Sequence, residues 1–164
     1  MSKTKSKHSP TTHVAKVEES NAPWDIHFFQ RHEDDDPTTP VPAREFLDAC
    51  PEKVRMTMLA VLTAVSDAPP PQFSGGGKWE AMHGDMSGYY EIRVDGPKRH
   101  HYRLFCLLER KGADLGLGGP SIVVLTGLDK PFMTLLTRSD YATVRSLGDE
   151  YRARKPRSVA PAKD

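Results

Sequence analysis

Between residues 88 and 108 the chain alternates apolar and polar side chains twice, with a turn between the two runs. Tyr90, Ile92 and Val94 share one face of the first run, and Glu91 and Arg93 share the other. A period of two marks a strand with two unlike faces. Asp95-Gly96-Pro97-Lys98 then breaks the run with turn residues. The alternation resumes at His100. Tyr102, Leu104, Cys106 and Leu108 fall on one face, and His101, Arg103 and Phe105 on the other. Two such strands joined by a short turn pair antiparallel. The chain is thereby committed to a sheet whose apolar face must be covered.

The other segments supply the cover and more strands. Trp24-Asp25-Ile26-His27-Phe28-Phe29 is aromatic and β-branched and predicts a first strand. The acidic run Glu33-Asp34-Asp35-Asp36 and the prolines at 37, 40 and 42 form a loop. Pro42 opens a short helix over residues 42–49. Pro51 opens a second, with Val54, Met58, Val61, Leu62 and Val65 on one stripe of a 3.6-residue period; residues 66–71 end it. A glycine loop at Gly75-Gly76-Gly77 precedes a short strand over 78–82. A Gly-rich connection over 112–120 leads to a β-branched strand over 121–126. A helix over 139–152 follows, with Ser139 as its expected N-cap and Asp140 in its first turn. The order β-α-α-β-β-β-β-α predicts an α+β fold. It has a small antiparallel sheet of four to five strands, two N-terminal helices and a C-terminal helix, all packed on one face.

Residues 1–22 are rich in Lys, Ser, Thr and Pro and nearly devoid of large apolar side chains. Such a stretch buries too little surface to offset its ordering entropy and is expected to be a disordered basic tail. Residues 156–164 read the same way, which leaves one domain over 23–155. The basic start, Met1 to Lys7, is not followed by an apolar stretch, so no secretory signal and a cytoplasmic location are expected. No run approaches the roughly 20 apolar residues that cross a bilayer. Cys50 and Cys106 each sit among apolar neighbours and read as reduced core residues rather than a disulfide or zinc framework.

The chain carries 23 Lys and Arg against 22 Asp and Glu, a net charge of +1. That is not the strongly basic balance of a free nucleic-acid binder. The charge is unevenly spread, however. Residues 138–157 hold six basic side chains against three acidic ones, so an electrostatic partner is met by one face or end.

The usual catalytic signatures are missing. The Gly75–77 run lacks the phosphate-loop pattern and does not join a strand to a helix. His100 and His101 are adjacent on a strand and point to opposite faces, so they cannot chelate one ion together, and no other metal-ligand spacing occurs. There is no nucleophile-elbow motif. What remains is the polar face of the hairpin, with Glu91, Arg93, His101 and Arg103, and Lys130 after the last strand. Guanidinium forks bind phosphate bidentately, so the cluster suits a phosphate-bearing anion. A solvated face on which Glu91 pairs with one arginine accounts for the same residues.

Four segments carry a resemblance. Pro42-Ala43-Arg44-Glu45-Phe46-Leu47 resembles the "PVREFL" signature of phage-derived RelE/HigB-like toxins. Gly88-Tyr89-Tyr90-Glu91-Ile92-Arg93 is similar to their "GLYELR", and His101-Tyr102-Arg103-Leu104-Phe105 to their "YRVFY". Residues 122–130, ending Gly127-Leu128-Asp129-Lys130, are similar to their "IVLLHGFVKK". The four occur in the family's order and spacing over about residues 24–152, and the element order is also the family's.

The resemblance implies the toxin of a type II toxin–antitoxin pair, a member of the RelE/ParE superfamily. It implies an endoribonuclease that cuts mRNA in the ribosomal A site without metal or cofactor. The 2′-hydroxyl attacks the adjacent phosphate and leaves a 2′,3′-cyclic phosphate. Its partners would be a helix-turn-helix antitoxin and mRNA on the ribosome. Arg93 and Arg103 would hold the phosphate, Lys130 would add charge, and His101 would carry a proton, with Tyr141 as a second candidate. Lys98, Arg99 and Arg138 would contact RNA. The sequence departs from the family at Pro131, where a second basic residue is usual, and over 132–137, where the Lys-Thr-x-Lys-Thr-Pro run is absent. A non-catalytic protein on the same scaffold, binding a host protein such as gyrase, is the alternative.

Overall fold

The structure is a computed structural model, and it describes residues 22–68, residue 70 and residues 77–161. Residues 1–21 and 162–164 of the expected tails, and Gly75 and Gly76 of the glycine loop, lie outside the described residues.

The order of elements follows the hydrophobic periods. Strand β1 is Asp25–Phe28, helix α1 Pro42–Ala49 and helix α2 Glu52–Asp67. Strands β2 (Trp79–Ala81), β3 (Tyr89–Asp95), β4 (His101–Glu109) and β5 (Ser121–Lys130) come next, and helix α3 (Arg138–Arg152) closes the domain. The five strands make one sheet in the order β1-β5-β4-β3-β2. The fold is α+β, as the sequence predicts.

Four of the strands pair antiparallel, as expected, but β1 pairs parallel with β5, so the sheet is mixed. Two helices separate β1 from the rest of the sheet, so no hairpin turn dictates its direction. Strand β5 also runs four residues beyond its β-branched stretch, because Gly127 to Lys130 continue the ladder against His101 to Leu104. A β-bulge near Phe105 and Cys106 absorbs the change of register.

The helices do not share one face. One apolar layer holds α1 and α2, through Ala43, Leu47, Val54, Met58, Leu62 and Val65, against Ile92, Leu104, Cys106, Ile122 and Val124. The other holds α3, through Val144 and Tyr151, against Tyr89, Phe105, Leu107, Val123 and Leu125. The reason lies in β4 and β5. Phe105, Leu107, Val123 and Leu125 are apolar on the face that the alternation of β3 alone marks as polar, and that face must also be covered. Gly148 lets α3 approach closely, since a Cβ there would strike the Tyr89 ring of β3.

Residues 156–161, expected to lie in a tail, pack on the domain instead. Val159 bridges Phe29, the Ala160 amide donates to Phe28 O, and Gln30 N donates to Ser158 O. The open edge of β1 satisfies a segment whose composition alone reads as disordered. Arg157 Nε and the Tyr151 hydroxyl both donate to Glu109 Oε2, at 3.0 and 2.8 Å. Truncating Glu109 to alanine leaves the buried Tyr151 phenol without its acceptor and Arg157 Nε without its partner, while Arg157 Nη1 keeps the carbonyls of Arg152 and Arg154. A loss of about 2 kcal/mol is expected, read as a lower urea midpoint at unchanged m.

Cys50 and Cys106 are free and buried. Among the described residues, no helix is long and apolar enough to cross a membrane.

Candidate functional site

Strand register gathers the site. Strands β3 and β4 pair Arg93 with Arg103 and Asp95 with His101, and β4 and β5 pair His101 with Lys130. Side chains directly across an antiparallel ladder share a face. Arg93, Arg103, His101 and Lys130 therefore meet on the α3 side of the sheet, opposite α1 and α2.

Two cations facing each other across a ladder repel. Glu91, two residues before Arg93 on the same face, relieves this. Its Oε1 lies 3.4 Å from Arg93 Nε and 3.7 Å from Arg103 Nε. Arg103 is further held by Nη1 donating to Tyr102 O at 2.9 Å. Its side chain is 13% exposed and that of Glu91 12%, whereas Arg93 is 45% exposed and also meets Glu80 Oε2 at 3.4 Å. Burial pushes the Glu91 carboxyl above its ordinary value, and the two arginines pull it back only in part.

His101 Nδ1 lies 2.8 Å from Asp95 Oδ1. A carboxylate there fixes the proton on Nδ1 and leaves Nε2 for other work. The hydrogen bond from His101 holds the Asp95 carboxyl below its usual range. Tyr141, at the first turn of α3, meets Phe105 edge-on at 6.3 Å. Burial, and then the charge of Glu91, push its phenol upward, so it stays protonated and serves as a donor.

Arg93, Arg103, His101, Lys130, Tyr141 and Glu91 line one cavity of about 500 Å³, walled by Met82 and His83 on one side and by Thr134, Leu135 and Leu136 on the other. Its lining holds three cations, the two arginines and Lys130, against the carboxylates of Glu80 and Glu91. Such a site can grip a single anionic group between paired donors while keeping a carboxylate and an imidazole close to it.

Three expected contacts are not brought together with these. Lys98 and Arg99 sit in the β3–β4 turn with left-handed φ of 57° and 58° and do not line the cavity. Arg99 instead stacks over the Phe132 ring at 5.0 Å. Arg138 is exposed at the start of α3, also outside the cavity lining.

Lys130 is tied to the helix start, with Nζ 3.2 Å from Asp140 Oδ2. The cap is Thr137 rather than Ser139. Thr137 N donates to Asp140 Oδ2, and Asp140 N donates to Thr137 Oγ1, at 2.7 and 3.1 Å. The Thr-x-x-Asp spacing satisfies two orphan amides reciprocally, which Ser139 cannot do from inside the helix. The Thr137 amide, and then the Thr137 and Lys130 side chains, hold the Asp140 carboxyl below its ordinary value. A depressed folded value contributes stability above the unfolded one, and this is lost as pH falls through the folded one. Thr137→Ala is expected to cost about 1 kcal/mol at neutral pH. The difference from wild type, followed by thermal melts, should shrink as Asp140 protonates.

The sequence places Glu91 in the polar-face cluster without a catalytic role, and Asp95 reads there only as a turn residue. Both were legible as site residues, because 91, 93 and 95 fall on one face at a spacing of two. His83, Glu80, Leu135 and Leu136 reach the cavity from other segments, and no local pattern announces them. Among the described residues, no group of three or more His, Cys, Asp or Glu is placed to hold a metal ion.

No protein-family model matches the sequence, and no curated protein does. Among solved structures, the fold is similar to a chain in the crystal structure of the toxin–antitoxin complex RelBE2 from Mycobacterium tuberculosis. The TM-score is 0.41 and the sequence identity 14%, over 66% of this chain and 93% of that chain.

Proposed function

We propose that this chain is the toxin of a type II toxin–antitoxin pair, a ribosome-dependent mRNA endonuclease acting by attack of a 2′-hydroxyl on the adjacent phosphate. The observation that carries the reading is the pairing of Arg93 with Arg103 across one ladder, bridged by Glu91, in a cavity that His101 also lines. The resemblance of four sequence segments to RelE/HigB-like toxins supports it.

In this reading a substrate phosphate displaces Glu91 from between the guanidinium groups and takes their donors. The freed carboxylate, raised by burial toward the working range of a base, accepts the 2′-hydroxyl proton. The O2′–P bond forms as the P–O5′ bond breaks. His101, entering the step as an imidazolium held by Asp95 through Nδ1, gives its Nε2 proton to the departing O5′ and is left neutral. Tyr141 and Lys130 donate to the non-bridging oxygens. The products are a 2′,3′-cyclic phosphate and a 5′-hydroxyl end.

The partners in this reading are mRNA on the ribosome and a cognate helix-turn-helix antitoxin, and the site of action is the cytoplasm. A second reading, a non-catalytic binder of a host protein, draws on the carboxylates that already engage both arginines and on the missing basic run over 132–137. Expression in a bacterial host with mRNA 5′ ends mapped separates the two. Growth arrest with new codon-aligned ends, lost in the Arg93→Ala and Arg103→Ala double variant, supports the nuclease. Arrest without new ends rejects it in favour of the binder.

A further inference from the structure

The two arginines line a second space. Strand β2 is only three residues long and pairs with Tyr90 to Ile92, so among the described residues no strand pairs with the outer edge of β3 beyond Arg93. A groove of about 830 Å³ opens around that edge onto α2. Its charged lining is Lys53 from α2, Lys78 from just before β2, Arg93, Arg103 and Asp95, that is, four cations against one carboxylate. Asp95 is already taken by His101. Lys53 and Lys78 are exposed, and neither forms an ion pair among the described residues. Thr57, one turn after Lys53, lines the same wall, with its hydroxyl donating to Lys53 O at 2.8 Å. The groove is thus more cationic than the cavity it adjoins, and the two communicate through the same pair of side chains.

A polyanion held at the arginines has a phosphate on either side of the gripped one. Successive phosphates of an extended single strand are roughly 6–7 Å apart, and cationic grooves that follow the backbone bind such strands without sequence preference. We propose that the groove is a second phosphate-binding subsite for single-stranded RNA, in which Lys53 and Lys78 hold the backbone flanking the linkage gripped by Arg93 and Arg103. The strand runs from the cavity around the outer edge of β3 to α2. This inference rests on the RNA reading of the cavity and adds to it a direction, a length and two residues.

Lysines that hold phosphates add affinity with little regard to base, and each contact on a single strand contributes about 0.7 to the slope of log K against log salt. The test measures binding of the full chain to fully 2′-O-methylated RNA, which cannot be cut by 2′-hydroxyl attack, as a 3-mer and as a 9-mer. Fluorescence anisotropy is read over a salt series. The wild type should bind the 9-mer more tightly than the 3-mer. The Lys53→Gln and Lys78→Gln double variant should lose most of that gain and about 1.4 from the 9-mer salt slope, while its 3-mer affinity stays unchanged. Both positions are exposed, and an unchanged melting temperature confirms an intact fold. If the double variant binds the 9-mer like wild type while Arg93→Ala and Arg103→Ala lose both oligomers, the subsite is refuted and the cavity reading stands. An equal loss for 3-mer and 9-mer refutes the subsite as well, because it marks a diffuse field rather than a track. A wild type that gains nothing from the longer oligomer has the same consequence. If the arginine variants bind both oligomers like wild type, the cavity reading itself falls. Binding of a polyglutamate peptide in place of RNA, with the same lysine dependence, would reassign the groove to an acidic protein segment.

Discussion

Replacing Arg103 with alanine is expected to reduce RNA cleavage by about 10²- to 10³-fold, the usual cost of losing one donor aimed at developing charge. Arg103 is the less exposed of the pair, at 13% against 45% for Arg93, and its Nη1 is fixed on Tyr102 O. A preorganised, largely desolvated guanidinium stabilises a transition-state charge more than a mobile one does. Arg93→Ala should therefore cost less than Arg103→Ala. Lysine in place of Arg103 should recover little, because an ammonium has no planar fork with which to hold Tyr102 O and grip a phosphate bidentately. Rates of cleavage of a defined mRNA on purified ribosomes, for the alanine and lysine variants, check the order. Equal losses at the two positions would mean that burial does not distinguish their roles.

The second large effect is expected at Glu91. Glu91→Gln removes the carboxylate that meets both arginines, and with it the proposed base, and should lower the rate by about 10²- to 10⁴-fold. Stability should respond far less. Burial raises the folded value of this carboxyl above its unfolded one. Its contribution to stability is therefore present at low pH and lost as pH rises through the folded value. A neutral amide of the same shape escapes that loss but leaves the facing arginines unrelieved, so the two effects offset and the melting temperature at pH 7 should change little. The acid limb of the wild-type pH–rate profile should lie above the ordinary carboxylate range and vanish in the variant. A variant with reduced stability and a retained acid limb would assign Glu91 a purely structural part.

Much of the fold is legible in the sequence, because the periods are clean. The α2 stripe of Val54, Met58, Leu62 and Val65 is buried as spaced, and the hairpin of β3 and β4 turns where Asp95 and Gly96 indicate. The misreadings have a common origin in contacts distant along the chain. The direction of β1 and the packing of residues 156–161 are settled by partners more than 40 residues away, and no local window contains them. The second apolar face of the sheet was hidden because β3 turns Glu91 and Arg93 outward, while Phe105, Leu107, Val123 and Leu125 lie on the same side farther along. The same register explains the site. Arg93, Arg103, His101, Lys130 and Tyr141 converge in one cavity because alternation placed the first three on one face and pairing placed β5 and α3 beside them. Lys98, Arg99 and Arg138 are basic residues whose backbone positions, a turn and a helix start, leave them outside the cavity lining.

In the proposed mechanism a 2′-hydroxyl, activated in the cavity of Arg93 and Arg103, breaks the RNA chain. Purified protein should be mixed with ribosomes carrying an mRNA that has a single 2′-deoxy nucleotide just upstream of the mapped cut, and the cleaved ends analysed chemically. The expected result is a 5′-hydroxyl end and a 2′,3′-cyclic phosphate from the all-ribose message, and no cut at the substituted position. Cleavage that persists at the deoxy linkage, or that leaves a 5′-phosphate, would contradict it.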